Sequence, residues 1–236
     1  MNMRRLRSAV AVGCLVPPML AFAGSFSVSP VVVSLASDRS AGALTVRNGS
    51  QESTLMQLEL MRWSQSDGTD QLEGTREILA TPAIFTLPPG ATQTVRVGLR
   101  GASSDARTER SYRLLLKEVL PEAPSDFKGL RVALQLSVPV FIEPLAAATP
   151  LLRWEARVVK DGLHLVAHNE GQVHVQVTGI GLGAATDRKK IQPAYVLPGQ
   201  WKEWTVAHDV KPGEPIELTV RTDAGPLQAR IVVSDH

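Results

Sequence analysis

Very few residues of this 236-residue chain stand at spacings that could support catalysis or metal binding. The sequence holds no G-x-S-x-G nucleophile elbow, no H-E-x-x-H zinc motif and no glycine-rich phosphate loop. His164, His168 and His174 are close enough along the chain to share a strand face or hairpin, the one spacing that could hold a metal ion. Isolated strand histidines are more often structural or exposed. We therefore predict no metal, no cofactor, no small-molecule substrate and no enzymatic activity.

The other candidate chemistry is backbone pairing along an unusually long apolar strand, residues 130–140. Because side chains alternate along a strand, its apolar residues project to one face: Leu130, Val132, Leu134, Leu136, Val138 and Val140. These eleven residues exceed the usual strand length of about 5–6, and Pro139 predicts a sheet edge near the C-terminal end. A long apolar edge invites pairing with another chain. The segment is either an ordinary half-buried strand or a strand that binds a partner by β-augmentation.

The elements that must position this strand are themselves predicted to be strands. Runs of Val, Leu and Thr recur every 8–12 residues between Gly, Pro, Asn and Asp, and no long helical period occurs. A segment at residues 143–150, with Pro144 and Pro150 and small residues between them, divides the pattern. We predict an all-β protein with two immunoglobulin-like β-sandwich domains joined at an angle, residues 24–143 and 151–236, with the linker at 144–150.

The N-terminus predicts export. Arg4, Arg5 and Arg7 precede a short apolar stretch, and Ala21-Phe22-Ala23 forms a cleavage site, so residues 1–23 are predicted to be a signal peptide. Cys14, the one cysteine, would be removed with it, and Ala three positions before it argues against a lipoprotein. The net charge of +2 and the scattered basic residues exclude a nucleic-acid partner.

The order SVSPVVVSL, ALTVRNGS, ATPAIFTLPPG, TVRVGLR, ERSYRLLLKEVLP and GLRVALQLSVPVFIEP resembles the N-terminal domain of periplasmic pilus chaperones of the chaperone–usher pathway. The resemblance covers nearly all of residues 25–144. It implies a periplasmic protein that stabilises pilus subunits by donor-strand complementation and delivers them to an outer-membrane usher. The donor residues that it implies are Leu130, Val132, Leu134, Leu136 and Val138.

The resemblance also implies an ion network at the domain junction, with Arg96, Glu118 and Asp223 at the matching positions. Its role would be to fix the domain orientation. The alternative is three unrelated surface charges.

The sequence departs from the family at the basic pair that anchors the subunit's C-terminal carboxylate. Val32 and Pro139 stand at those positions, a pattern that resembles the archaic branch. Antiparallel pairing of residues 111–119 with 130–140 would bring Arg110 and Arg113 near Pro139. Arg113 is the preferred anchor because its guanidinium can bind a carboxylate bidentately; a solvated strand residue is the alternative.

Two functions of other classes stay open. A secreted structural module, pilin-like or adhesin-like, could use the same strand to polymerise, but it would need an N-terminal donor extension. A secreted enzyme with an accessory β-sandwich would need acid and base residues clustered in loops. The sequence offers neither feature.

Overall fold

A computed structural model of the protein describes residues 26–36, 41–100, 107–183 and 188–235. The predicted signal peptide, its cleavage site and Cys14 lie outside these residues. The prediction of an all-β protein with two sandwich domains is confirmed, because the described chain forms eighteen strands and no helix. None of its segments is therefore a helix that could cross a membrane.

Ten strands build the N-terminal half. They are β1 (Phe26–Ser29), β2 (Val33–Leu35), β3 (Ala41–Asn48), β4 (Thr54–Ser66), β5 (Thr69–Gly74), β6 (Ile78–Thr81), β7 (Ile84–Leu87), β8 (Thr92–Leu99), β9 (Arg110–Val119) and β10 (Gln135–Ile142). One sheet has the order β1-β3-β8-β6, and the other β2-β10-β9-β4-β5, with β7 also paired to β4.

The core of this half lies between the two sheets and follows from side-chain alternation. On β8, Val95 and Val97 are fully buried, while Arg96 between them faces solvent. On β9, Tyr112, Leu114 and Leu116 face the same core.

Eight strands build the C-terminal half. They are β11 (Leu152–Val159), β12 (Gly162–Asn169), β13 (Val175–Leu182), β14 (Arg188–Lys189), β15 (Ala194–Val196), β16 (Trp201–Val206), β17 (Pro215–Thr222) and β18 (Gly225–Val232). One sheet has the order β11-β12-β16 and the other β14-β13-β17-β18, with β15 paired to β13. Trp154 and Trp204, with ring centroids 5.8 Å apart, belong to the core between them.

A third, smaller apolar cluster joins the two halves. Trp63 on β4 and Phe141 on β10 meet Leu197 of the C-terminal half, with Val32 and Tyr195 packed against them. The predicted linker, residues 144–150, lies between the end of β10 and the beginning of β11. Because Phe141 belongs to β10, this contact ties the proposed partner-binding strand directly to the domain junction.

The strand expected over 130–140 differs from the observed one. β10 runs from Gln135 to Ile142, and residues 130–134 are not a strand. Its antiparallel neighbour β9 ends at Val119, opposite the residues just before β10, so little backbone remains to pair with them. The last such contact lies at Leu134, whose carbonyl accepts from Glu118 N–H at 2.9 Å.

Candidate functional site

The predicted donor residues form one continuous stripe whose burial changes along its length. Val138 is 4% exposed and belongs to the N-terminal core. Leu134 and Leu136 are half-buried, whereas Val132 is 65% and Leu130 88% exposed. Burial therefore falls from Val138 towards Leu130, and the segment before β10 presents large aliphatic side chains to solvent, an arrangement that an ordinary core strand does not need.

The backbone edge of β10 is free beside this stripe. β2 pairs with β10 in parallel only at Val140–Ile142, through Val33–Leu35. Within the described residues no strand pairs with Gln135–Pro139 on that side. Pro139 predicted a free edge near the C-terminal end of the strand. The structure instead shows the free edge at the N-terminal part of β10. Pro139 stands where the pairing to β2 begins, which suits a residue without an N–H donor.

Arg113 lies directly opposite Pro139 in the β9–β10 register. Its guanidinium carbon is 3.6 Å from the Trp63 ring centroid and 5.3 Å from that of Tyr195, so the cation is stacked between the two halves. Burial lowers the pKa of Arg113, and the negative charge of Asp70 acts against that shift. A partly desolvated cation of this kind gains strongly from an incoming carboxylate.

A cavity of about 460 Å³ opens beside Arg113 at the domain junction. Residues of both halves line it, among them Asp70, Tyr195 and Lys202. Arg113 and Lys202 give it two cationic groups and Asp70 and Glu203 two carboxylates, and Lys202 lies 3.7 Å from Asp70. The cavity has room for the end of a peptide chain beside Arg113.

Arg110, the second anchor candidate, lies on the other face of β9. It shares the core-facing side with Tyr112, because side chains two apart project the same way, and its guanidinium is 3.9 Å from Glu77. The structure therefore separates the two arginines, and only Arg113 faces the cavity.

The expected Arg96–Glu118–Asp223 network does not form. Arg96 is exposed on the outer face of β8, between the buried Val95 and Val97. Glu118 lies at the far end of β9, about 30 Å along the strand from Glu109 at the junction, where its carboxylate accepts from Leu134 N–H at 3.0 Å. Of the three, Asp223 alone reaches the junction.

A different ion cluster occupies the junction. His174 Nδ1 is 2.8 Å from a carboxylate oxygen of Glu109, and its Nε2 is 3.2 Å from Asp223. The imidazole stacks on Phe141 with ring centroids 3.5 Å apart. Burial alone lowers the pKa of His174, but the hydrogen bonds to Asp223 and Glu109 and their charges outweigh it and raise the pKa to about 9.

His174 is therefore an imidazolium that joins the two halves through a carboxylate from each. From the sequence alone, His174 is a candidate only for metal binding, together with His164 and His168. The structure places His164 against Glu203 at 3.0 Å and His168 against Glu155 at 3.5 Å, on a different sheet. No group of three or more metal-ligating side chains occurs among the residues described. No sequence spacing pairs Glu109 with His174, because they are 65 residues apart.

Comparison with protein families identifies one match. The model of the pili and flagellar-assembly chaperone, PapD N-terminal domain, matches residues 25–148, more than half of the chain. No curated protein sequence matches the chain.

Comparison with solved structures finds the same two-domain fold. A chain of the CsuC–CsuE chaperone–tip adhesion subunit pre-assembly complex from archaic chaperone–usher Csu pili of Acinetobacter baumannii is 18% identical with a TM-score of 0.69, over 89% of this chain and 100% of that one. A chain of the SafA pilin–SafB chaperone complex of Salmonella enterica is 18% identical with a TM-score of 0.65, covering 89% and 97%. The Pseudomonas aeruginosa CupB2 chaperone is 17% identical with a TM-score of 0.58, covering 88% and 100%. At these identities the likeness concerns the fold.

Proposed function

Since this chain belongs to the family of pili and flagellar-assembly chaperones, we propose that it binds pilus subunits in the periplasm through β10 and the segment before it. Family and fold are those of assembly chaperones, which are not enzymes. The proposed mechanism is donor-strand complementation, in which residues 130–138 pair with an incomplete subunit and fill its groove.

The observation that carries this proposal is the stripe that leaves the core beside a free backbone edge. A subunit strand laid along Gln135–Pro139 would satisfy the unpaired N–H and C=O groups of that edge. The same pairing could extend the strand back to Leu130, because residues 130–134 are already tied to β9 at Leu134.

The side chains that would transfer to the subunit are Leu130, Val132, Leu134 and Leu136. Val138 was also predicted to be a donor, but it is already packed inside the chaperone and would contribute little new burial. Burying four such side chains is worth about 6–12 kcal/mol gross, before the cost of ordering the segment. That magnitude is sufficient to shield an otherwise aggregation-prone subunit.

Arg113 is the proposed anchor for the subunit's C-terminal carboxylate. The position that carries Pro139 cannot supply a cation, and Arg113 stands opposite it in the register. Trp63 holds the guanidinium at the mouth of the cavity, and a bidentate carboxylate would compensate its lost hydration. Anchoring one end of the subunit strand at Arg113 would set its register along β10.

The loaded chaperone would then deliver its subunit to an outer-membrane usher, where a subunit's own extension replaces the borrowed strand. Export to the periplasm would depend on residues 1–23 as a cleaved signal peptide. The partners of the proposed function are therefore pilus subunits and the usher.

Co-expression in the periplasm with the pilus subunits encoded nearby tests the proposal. The tagged chain is compared with a variant carrying Val132→Arg and Leu134→Arg, which lie outside the core and leave folding intact. Ala133→Arg is the matched control, because Ala133 is exposed in the same segment and is not one of the predicted donor residues. We expect the double variant to lose soluble subunit and the control to retain it.

Equal capture by all three proteins would refute the donor-strand mechanism. Absence of capture by the unaltered chain would favour the secreted structural module instead. With capture established, Arg113→Gln is expected to weaken it and Arg113→Lys to retain part of it, because Lys keeps the charge but not the bidentate geometry.

A further inference from the structure

Gln65 is a buried polar side chain that connects the two halves of the molecule. It is 5% exposed and belongs to the last four residues of β4, 63–66, which extend past β9 and have only β5 beside them. Its side chain reaches residues about 130 positions later in the sequence. A buried amide is retained only where its hydrogen bonds are satisfied.

The amide of Gln65 takes the place of a neighbouring strand for β15. Its oxygen accepts from Leu197 N–H at 3.0 Å, and its nitrogen donates to Tyr195 C=O at 2.9 Å. These groups flank Val196, and a residue in a parallel ladder bonds to its partner strand in the same way. One edge of β15 pairs with β13, and Gln65 holds the other.

The second hydrogen of the Gln65 amide and the adjoining turn reinforce the same contact. The nitrogen also donates to Asp70 at 2.8 Å, across the β4–β5 hairpin. At the tip of that hairpin, Lys202 donates to the Gly68 carbonyl. The Trp201 ring packs so closely on Gly68 that a Cβ there would lie 3.1 Å from it. The hairpin of one half is therefore fitted to β15 and β16 of the other.

The segment that Gln65 holds carries the ring that closes over Arg113. Tyr195 stands edge-on to Trp63 at 5.3 Å between ring centroids, and the Arg113 guanidinium lies against both rings. If β15 moved relative to β4, Tyr195 would leave Arg113 and the cavity beside it would widen. The position of the cation is thus coupled to two hydrogen bonds that do not involve it.

We propose that Gln65 is a positioning residue, which pins Tyr195 through its backbone and thereby holds Arg113 in the geometry that receives the subunit's carboxylate. This inference rests on the proposed function for its biological role. The positioning of Arg113 itself can be tested without any subunit.

The first measurement is the ring-current shift of the Arg113 side-chain protons by NMR in the full mature chain. In the unaltered protein we expect these protons to be shifted upfield, because the guanidinium carbon lies 3.6 Å from the Trp63 ring centroid. We expect Gln65→Leu to reduce that shift, because at nearly equal size it removes the two hydrogen bonds to the C-terminal half as well as the one to Asp70. Gln65→Asn keeps the polarity but is one methylene too short to bridge, and it should have the same effect. Gln71→Leu, exposed on the same hairpin, is the matched control and should leave the shift unchanged.

The second measurement is the affinity for a co-purified pilus subunit. We expect about tenfold weaker binding for both Gln65 variants, because two buried backbone groups lose their partners at the junction. An unchanged Arg113 shift in both variants, or an equal change in Gln71→Leu, would overturn the proposal. Should neither variant fold, fast hydrogen exchange of the Leu197 amide in the unaltered protein would overturn it, and strong protection would support it.

The two proposals fail in different ways. If the Gln65 variants lost the Arg113 ring-current shift but the unaltered chain captured no subunit, Gln65 would remain a positioning residue and the chaperone mechanism would be rejected. Capture that depends on Val132 and Leu134 but not on Gln65 would do the reverse.

Discussion

Deprotonation of His174 should loosen the junction between the domains. The imidazole faces Glu109 from the N-terminal half and Asp223 from the C-terminal half, and only the doubly protonated ring can donate to both. Tyr195 lies 5.6 Å away, and burial raises its pKa, so it stays neutral while His174 titrates. The perturbation is a rise in pH, compared between the unaltered protein and His174→Gln.

The magnitude follows from linkage between protonation and folding. The folded-state pKa is raised from 6.5 to about 9, so the stabilisation is fully present below pH 6.5 and is lost as the pH rises through 9. That difference corresponds to at most about 3 kcal/mol. Burial raises the pKa of Asp223, but the hydrogen bond from His174 outweighs burial and the pKa is lowered. The stability that ionised Asp223 contributes is therefore lost only as the pH falls through that lowered pKa.

Urea unfolding between pH 6 and pH 10 provides the assay. The difference in unfolding free energy between the unaltered protein and His174→Gln should narrow by up to about 3 kcal/mol across this range. His168→Gln, on β12 beside Glu155 of the same half, is the control and should keep the full pH dependence. If the unfolding free energies of the unaltered protein and His174→Gln changed with pH in parallel, the assignment of an imidazolium at the junction would be refuted.

Two further predictions concern the framework of each half. Asn48 has a fully buried side-chain amide that donates to Leu87 C=O at 2.9 Å and accepts from Ser50 N–H. Asn48→Ala should therefore lower the free energy of unfolding by about 1–3 kcal/mol. A loss below about 0.5 kcal/mol in urea titration would contradict this prediction. Gly162→Ala should destabilise the C-terminal half by about 2 kcal/mol or more, since φ is +132° and a Cβ would lie 2.3 Å from the Val206 carbonyl oxygen. Thermal unfolding tests it against Gly74→Ala, where a Cβ meets nothing within 4 Å.

The turns and strand periods were predictable because they are local properties. An Asp-Gly pair between two strand-like runs predicts a tight turn, and Asp67 and Gly68 both have the positive φ that joins two strands tightly. The alternation on residues 130–140 predicts which side chains share a face wherever that segment is a strand, since the period of a strand is two. The extent of that strand was wrong, because it depends on where β9 ends and offers backbone partners.

The prediction of an Arg96–Glu118–Asp223 ion network is wrong, because the fold places two of these residues away from the domain junction. Arg96 and Glu118 sit in strands with the right residue types, but one faces solvent and the other lies at the far end of β9. The residues that do meet there are Glu109, which directly precedes β9 in one half, and His174, which lies in a loop of the other half. Charge type in a sequence does not specify which charges meet.

The sequence alone determined the all-β character, the division into two halves and the apolar stripe, because each depends on the order of neighbouring side chains. The tertiary structure decided which part of the stripe is exposed, which edge is free and which arginine faces the cavity. It also decided that Gln65 holds the backbone of Tyr195 and Leu197. These features depend on contacts between residues up to 132 positions apart, which form only when two separate cores are packed against each other.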